Sequence, residues 1–143
     1  MTPLRKKSLI GLWLTVTFVF VLATGIILHL KKHGILIEPR QTLKLTHWIL
    51  GCIMGFLCYW HWRQFSKILA AMKIHLRWFW TDTVAIIAFT ILTFVSGFVK
   101  LFSPIKIPNL GLWHYSFGII MALFIAIHLV RGFPVFLRQI RKR

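Results

Sequence analysis

Four long apolar stretches constrain this chain more than any other feature of its sequence. They cover about residues 8–30, 45–62, 83–102 and 110–130. A helix rises about 1.5 Å per residue, so about 20 apolar residues cross the hydrocarbon core of a bilayer. Each stretch is close to that length. The sequence therefore predicts an all-α integral membrane protein, with four transmembrane helices forming a bundle in a single membrane domain over residues 1–143.

The balance of charged residues excludes most soluble functions. Of 143 residues, 18 are Lys or Arg, only 2 are acidic and 58% are hydrophobic. Because Glu38 and Asp82 are the only carboxyl side chains, a hydrolase that uses paired carboxylates is excluded. The apolar content argues against a disordered chain and against a soluble nucleic-acid-binding domain. We expect membrane lipid, and no nucleic acid, among the partners.

The basic residues indicate how the helices are oriented. With the amino terminus in the cytoplasm, twelve Lys and Arg residues lie on the cytoplasmic side and six on the opposite side. Cytoplasmic loops carry the excess of basic residues in membrane proteins. We therefore expect a multi-pass protein with both termini in the cytoplasm.

The sequence also predicts how the helices are connected. Residues 64–80 are too charged to span a membrane, but their apolar residues recur at helical spacing. This pattern is typical of a short amphipathic helix that lies on the membrane surface, here between helices 2 and 3. Asp82, between two threonines, is predicted as the N-cap of the third helix, and Asn109 can cap the fourth.

Four histidines share one spacing. His47 and His61 lie 14 residues apart in the second stretch, and His114 and His128 lie 14 apart in the fourth. Fourteen residues are two heptads, so both histidines of a helix face the same side, about 21 Å apart along the axis. The second and fourth helices cross the membrane in the same direction. We therefore expect two pairs, His47 with His114 on the outer side and His61 with His128 on the inner side.

Facing histidine pairs of this kind favour haem binding. Two imidazoles provide the axial ligands that a six-coordinate haem iron needs. Gly51 and Gly118, four residues after His47 and His114, remove side chains where a flat macrocycle would approach the backbone. Intramembrane histidines and glycines also occur in plain helix packing. That alternative does not explain why the same spacing occurs twice.

The repeated pattern extends to the other two helices. The histidine helices share H-x3-G-x3-[GA]-x5-H, and the first and third share Thr24-Gly25 and Ser96-Gly97 near their outer ends. The chain is therefore interpreted as a duplicated two-helix hairpin. Such an internal repeat suits a pseudo-symmetric pair of cofactors, namely two haem b groups.

The spacing H-x13-H on two parallel helices resembles the haem-binding core of respiratory cytochrome b. In size the chain looks more like the small dihaem b-type cytochromes of bacteria, including the flavinylation-associated cytochromes, over about residues 8–132. The resemblance implies four histidine ligands, location in the bacterial inner membrane, and electron exchange between quinone and an extracytoplasmic or membrane redox partner subunit. The chain lacks the further helices and the acidic quinol-site motif of the full cytochrome b.

Other polar residues have open assignments. His29 and His33 are candidates to bind a metal or to contact a quinone, and His29 is the reserve ligand for the outer haem. Both histidines also suit the ordinary role of polar residues at a helix end. Glu38 is either a proton acceptor for quinone or a loop residue. Lys44 and Arg131, each three residues from a predicted ligand, are candidates for neutralising haem propionates.

Three classes of function remain open on the sequence. The first is transmembrane electron transfer through two bis-histidine b haems. The second is metal-ion transport or binding along a histidine-lined path, which the scarcity of intramembrane carboxylates disfavours. The third is a haem-free membrane anchor or assembly subunit whose histidines only pack.

Overall fold

The computed structural model describes residues 3–32, 40–72 and 77–141, and within them the chain forms helices and no strand. The helices are α1 (Pro3–Lys32), α2 (Arg40–Met72), α3 (Arg77–Phe102) and α4 (Leu110–Arg141).

Every one of the four helices contains a stretch that is long and apolar enough to cross a membrane. These stretches are 21 to 24 residues long, with mean hydropathies between 1.2 and 2.3. At most 17% of each stretch is buried within the protein, and side chains such as Phe56 and Val130 are 63% and 74% exposed. Apolar side chains that the protein does not cover are in contact with lipid. The predicted all-α, multi-pass membrane fold is confirmed.

The helices pack in consecutive pairs. α1 packs against α2, and α3 packs against α4. The chain divides accordingly into two compact units, Met1–Ile74 and His75–Arg143. We call them hairpin 1 (α1 and α2) and hairpin 2 (α3 and α4). This division coincides with the duplicated two-helix hairpin that the repeated sequence pattern predicted.

The second helix continues beyond its predicted end. Residues 64–72, assigned from the sequence to a separate interfacial helix, continue α2, and residues 77–80 form the beginning of α3. Residues 73–76 lie outside the described part of the chain. Charged side chains keep this segment out of the hydrocarbon core, but residues 64–80 contain no Gly or Pro that would break a helix.

The predicted N-cap of the third helix is wrong, whereas the fourth helix begins where expected. α3 begins at Arg77, so Asp82 lies inside the helix. Asn109 directly precedes α4 and has a φ of 59°, a left-handed conformation that Asn adopts more readily than most residues. Its carbonyl accepts the first bonds of α4, from the amides of Leu112 at 2.8 Å and Trp113 at 3.0 Å.

Candidate functional site

In hairpin 1, the imidazole of His47 packs against the outer part of α1. The hydroxyl oxygen of Thr24 lies 2.9 Å from Nδ1 of His47. The neighbouring Gly25 provides the space for the ring, since a Cβ at Gly25 would lie 3.1 Å from Cε1 of His47. That distance is tighter than ordinary van der Waals contact, so the imidazole rests against bare backbone.

The same arrangement occurs in hairpin 2. The hydroxyl oxygen of Ser96 lies 3.1 Å from Nδ1 of His114, and the carbonyl oxygen of Thr93 lies 3.0 Å from the same nitrogen. A Cβ at Gly97 would lie 3.0 Å from Cε1 of His114. Ser96 is one of the few buried polar residues, at 6% exposure. The shared Thr-Gly and Ser-Gly pairs therefore have one structural role, which is to receive an outer histidine.

One of these hydrogen bonds assigns the proton of an imidazole. A carbonyl oxygen only accepts, so Nδ1 of His114 donates its hydrogen to the Thr93 carbonyl. In a neutral imidazole with its hydrogen on Nδ1, the lone pair is on Nε2. His114 is therefore in the tautomer that binds a metal through Nε2. The Thr24 hydroxyl is within hydrogen-bond distance both of the carbonyls of Phe20 and Val21, at 2.8 and 3.0 Å, and of Nδ1 of His47.

The glycines that follow the outer histidines have open surroundings. A Cβ at Gly51 or at Gly118 would meet no atom within 4 Å beyond its own stretch of helix. These two glycines differ from Gly25 and Gly97, each of which is in close contact with a histidine ring. Gly11 and Gly132 have equally open surroundings. Contacts within each hairpin therefore do not require glycine at Gly51 and Gly118.

The inner histidines have different surroundings. His61 and His128 are both partly buried. One helical turn beyond His128, Arg131 forms an ion pair with Asp82 of α3. The Asp82 carboxylate also interacts electrostatically with the imidazole of His128. Asp82 is well shielded, with 13% of its side chain exposed against 41% for Arg131.

The structure describes some of the other residues with predicted roles, whereas others lie outside the described part of the chain. His29 is partly buried in α1, and Lys44 is exposed on α2. His33 and Glu38 lie outside the described residues. Arg131, predicted as a partner for a propionate, is paired with Asp82. No group of three or more His, Cys, Asp or Glu side chains suited to a metal ion occurs in the described part of the chain.

Two methionines extend the repeat that the sequence reasoning recognised. Met54 and Met121 lie seven residues after the outer histidine and seven before the inner one, and each is only 3% exposed. The hydroxyl of Thr90 donates to Sδ of Met121 at 3.3 Å. Each histidine helix thus contains H-x6-M-x6-H, with its most buried side chain midway between the histidines. Aligning the two helices at their histidines would have found this signal.

Pairing of the histidines between hairpins remains a prediction. His47 and His61 belong to hairpin 1, and His114 and His128 belong to hairpin 2. Within each hairpin the structure brings the outer histidine to a hydroxyl and a glycine of the neighbouring helix. The cross-hairpin pairs still depend on the equal spacing of the histidines and on the direction of the helices.

Comparisons with known protein families, with curated proteins and with solved structures find no match for this chain. The similarity to small dihaem b-type cytochromes therefore depends on the pattern of histidines and glycines alone. The case for a function comes from the site itself.

Proposed function

We propose that this protein binds two b haems through four histidines and transfers electrons across a membrane. The observation that carries the proposal is the repeated environment of the outer histidines. In each hairpin a hydroxyl of the neighbouring helix lies within 2.9–3.1 Å of Nδ1. In hairpin 2 the Thr93 carbonyl also accepts from Nδ1, which leaves the lone pair of His114 on Nε2. A hydrogen bond at the second nitrogen is the usual support of a metal-ligating histidine.

In the proposed arrangement, each haem takes one ligand from each hairpin. His47 and His114 form the outer pair, and His61 and His128 form the inner pair. Gly51 and Gly118 would adjoin the outer macrocycle, which fits the open space at both positions. Haem iron accepts and releases single electrons, and the 14-residue spacing sets the two ligand levels about 21 Å apart along the helix axes.

The other groups of the chain would keep the cofactors neutralised and in place. Each haem b brings two propionates, which need cationic partners or access to water. Lys44, exposed and three residues before His47, is placed to serve an outer propionate. Arg131 has a carboxylate partner in Asp82, so its charge is already largely balanced by the protein.

The distribution of basic residues supports an orientation and a location for this proposed electron path. Twelve basic residues on one side against six on the other support cytoplasmic termini in a bacterial inner membrane. The chain would be the membrane cytochrome subunit of an oxidoreductase, exchanging electrons with quinone and with an extracytoplasmic or membrane partner. In that role it carries electrons and makes no bonds in a substrate.

A reduced-minus-oxidised absorption spectrum of the purified full-length protein tests this function. We expect the bands of low-spin b haem, with two haems per chain. Replacing His47 or His128 by Ala should each diminish the haem signal. Replacing His29 by Ala should leave it intact, because His29 is not one of the four proposed ligands.

Two outcomes would contradict the proposal and favour the other classes. Absence of haem bands together with binding of a divalent cation would favour metal-ion transport or binding. Absence of both would favour a haem-free anchor or assembly subunit. A haem signal in the His47 and His128 variants that equals the signal of the wild type would show that these histidines are not its ligands.

A further inference from the structure

The two helices of hairpin 2 keep one antiparallel register along their length. At the outer end, Ser96 of α3 meets His114 of α4. Six residues back along α3 and seven residues forward along α4, Thr90 meets Met121. Antiparallel helices in contact advance by nearly equal steps in opposite directions, so these contacts predict the approximate level of the next one.

This register places Asp82 at the level of His128. Asp82 lies 14 residues before Ser96 in α3, and His128 lies 14 residues after His114 in α4. Asp82 therefore occupies, beside the inner histidine, the position that Ser96 occupies beside the outer one.

Two interactions of Asp82 agree with that position. Its carboxylate forms an ion pair with Arg131, which follows His128 by three residues and so lies on the same side of α4. It also interacts electrostatically with the imidazole of His128. Only 13% of the Asp82 side chain is exposed.

Hairpin 1 has no counterpart of this carboxylate. The residue 14 positions before Thr24 is Ile10, and the residue 14 positions after His47 is His61. At the level of His47 and His114, the neighbouring helix thus has a hydroxyl in both hairpins. At the level of His61 and His128, it has a carboxylate in hairpin 2 and an aliphatic side chain in hairpin 1. The duplicated halves therefore differ beside His128, where hairpin 2 contains the Asp82–Arg131 ion pair and hairpin 1 has Ile10 and Gln64 at the matching positions.

We propose that Asp82 is a positioning residue for His128, and that its negative charge lowers the reduction potential of the inner haem. This inference rests on the haem function proposed above. A carboxylate beside a ligating imidazole makes it a stronger electron donor than a hydroxyl does. Fixed negative charge nearby favours the oxidised iron, since that form carries one more positive charge.

A redox titration of the purified full-length protein, followed in the haem absorption bands, tests the role of Asp82. Replacing Asp82 by Asn should raise one of the two midpoint potentials, with two haems per chain retained. The matched control is Ser96→Ala, which should shift the other potential. The haem that the His61→Ala variant loses identifies the inner one.

The inference is overturned if Asp82→Asn retains two haems and moves neither potential, or moves both by the same amount. If that variant does not fold, Arg131→Gln tests the same interaction with the opposite sign: it removes the cation that offsets the Asp82 charge, so the same midpoint potential should fall. A wild-type protein without haem would instead contradict the proposed function itself. The haem content of the wild type thus separates the two failures.

Discussion

Thr24 and Ser96 each place a hydroxyl oxygen next to Nδ1 of an outer histidine, at 2.9 and 3.1 Å. Threonine and serine inside helices usually bond only to a carbonyl one turn earlier, as Thr15 does with Gly11 at 2.9 Å. Thr24 and Ser96 make that bond as well. When the hydroxyl donates to that carbonyl, its oxygen is available to accept from the imidazole, and in hairpin 2 the Thr93 carbonyl also accepts from Nδ1 of His114.

Removal of the Thr24 hydroxyl should weaken haem binding at the outer site. Valine has the shape of threonine without the acceptor, so Thr24→Val leaves the Nδ1 hydrogen of His47 without its partner. Loss of such supporting bonds typically costs about 10- to 100-fold in metal affinity. Titration of the haem-depleted protein with haem, followed by absorption, measures the change.

Two variants provide controls for that titration. Thr24→Ser keeps the hydroxyl and should bind haem nearly as the wild type does. Thr15→Val removes a hydroxyl of the same helix that bonds to the backbone of α1, and should also leave affinity unchanged. Equal loss in Thr24→Val and Thr15→Val would mean that the effect comes from the helix and not from the histidine.

At the scale of helices, the two glycines beside the outer histidines determine how closely each helix pair can approach. A Cβ at Gly25 or Gly97 would come within 3.1 or 3.0 Å of a histidine Cε1. The ring must then move by a few tenths of an ångström, or the helices must separate. Gly11 lies in the same helix as Gly25 but would meet no atom within 4 Å, so it offers a matched comparison.

We expect Gly11→Ala and Gly25→Ala to differ in both stability and haem binding. Alanine in place of a helical glycine stabilises by about 1 kcal/mol where no contact opposes it, which applies to Gly11. At Gly25 the contact with His47 offsets that gain and displaces a ligand, so the haem signal should change as well. Thermal unfolding in detergent, together with the electron paramagnetic resonance spectrum of the oxidised haem, measures the two effects. Equal behaviour of the two variants would contradict the close contact.

The helices themselves were predictable because their signal is local. Twenty apolar residues in succession indicate a membrane-spanning helix without knowledge of any partner, and all four helices were recognised in this way. The C-terminal end of α2 was not predicted correctly. Charged residues indicate where a helix leaves the hydrocarbon core, but they do not indicate where its backbone hydrogen bonds stop. The start of α3 was misplaced because Asp82 resembles a cap in the sequence, although its carboxylate pairs with Arg131, 49 residues away.

The candidate site was predictable only in part for a similar reason. The equal spacing of the histidines and the shared Thr-Gly and Ser-Gly pairs were visible in the sequence. The contact of each hydroxyl with a histidine was not visible in the sequence, because it depends on the register between two helices. That register joins residues 23 apart in hairpin 1 and 18 apart in hairpin 2. Since these separations differ, no fixed sequence spacing could have shown that each hydroxyl meets a histidine.

For the whole molecule, the excess of basic residues has more than one consequence. The formal charge is +16, and four ionised propionates from two haems would reduce it to about +12. Asp82 is one of two acidic residues in the chain and is matched by Arg131. Among the residues that the structure describes, Asp82 is thus the one carboxylate side chain, and the proposed redox cofactors would be held by histidine.

The proposal that each haem takes a ligand from each hairpin gives the last prediction. If each haem takes one ligand from each hairpin, the double variant His47→Ala/His114→Ala removes both ligands of one haem and leaves the other. The double variant His47→Ala/His61→Ala then removes one ligand from each haem, so both haems should be lost or become high-spin. The ratio of haem to protein and the spin state in the absorption spectrum measure these outcomes.

The opposite pattern would show that each hairpin binds a haem independently. In that case the His47/His61 double variant would leave one intact low-spin haem in hairpin 2, and the His47/His114 double variant would disturb both. The 14-residue spacing argues against this outcome, because two histidines about 21 Å apart along one helix cannot reach the same iron at about 2 Å. Only a histidine from another helix can complete the coordination. We therefore expect the losses to follow the level of the histidines in the membrane and not the hairpin to which they belong.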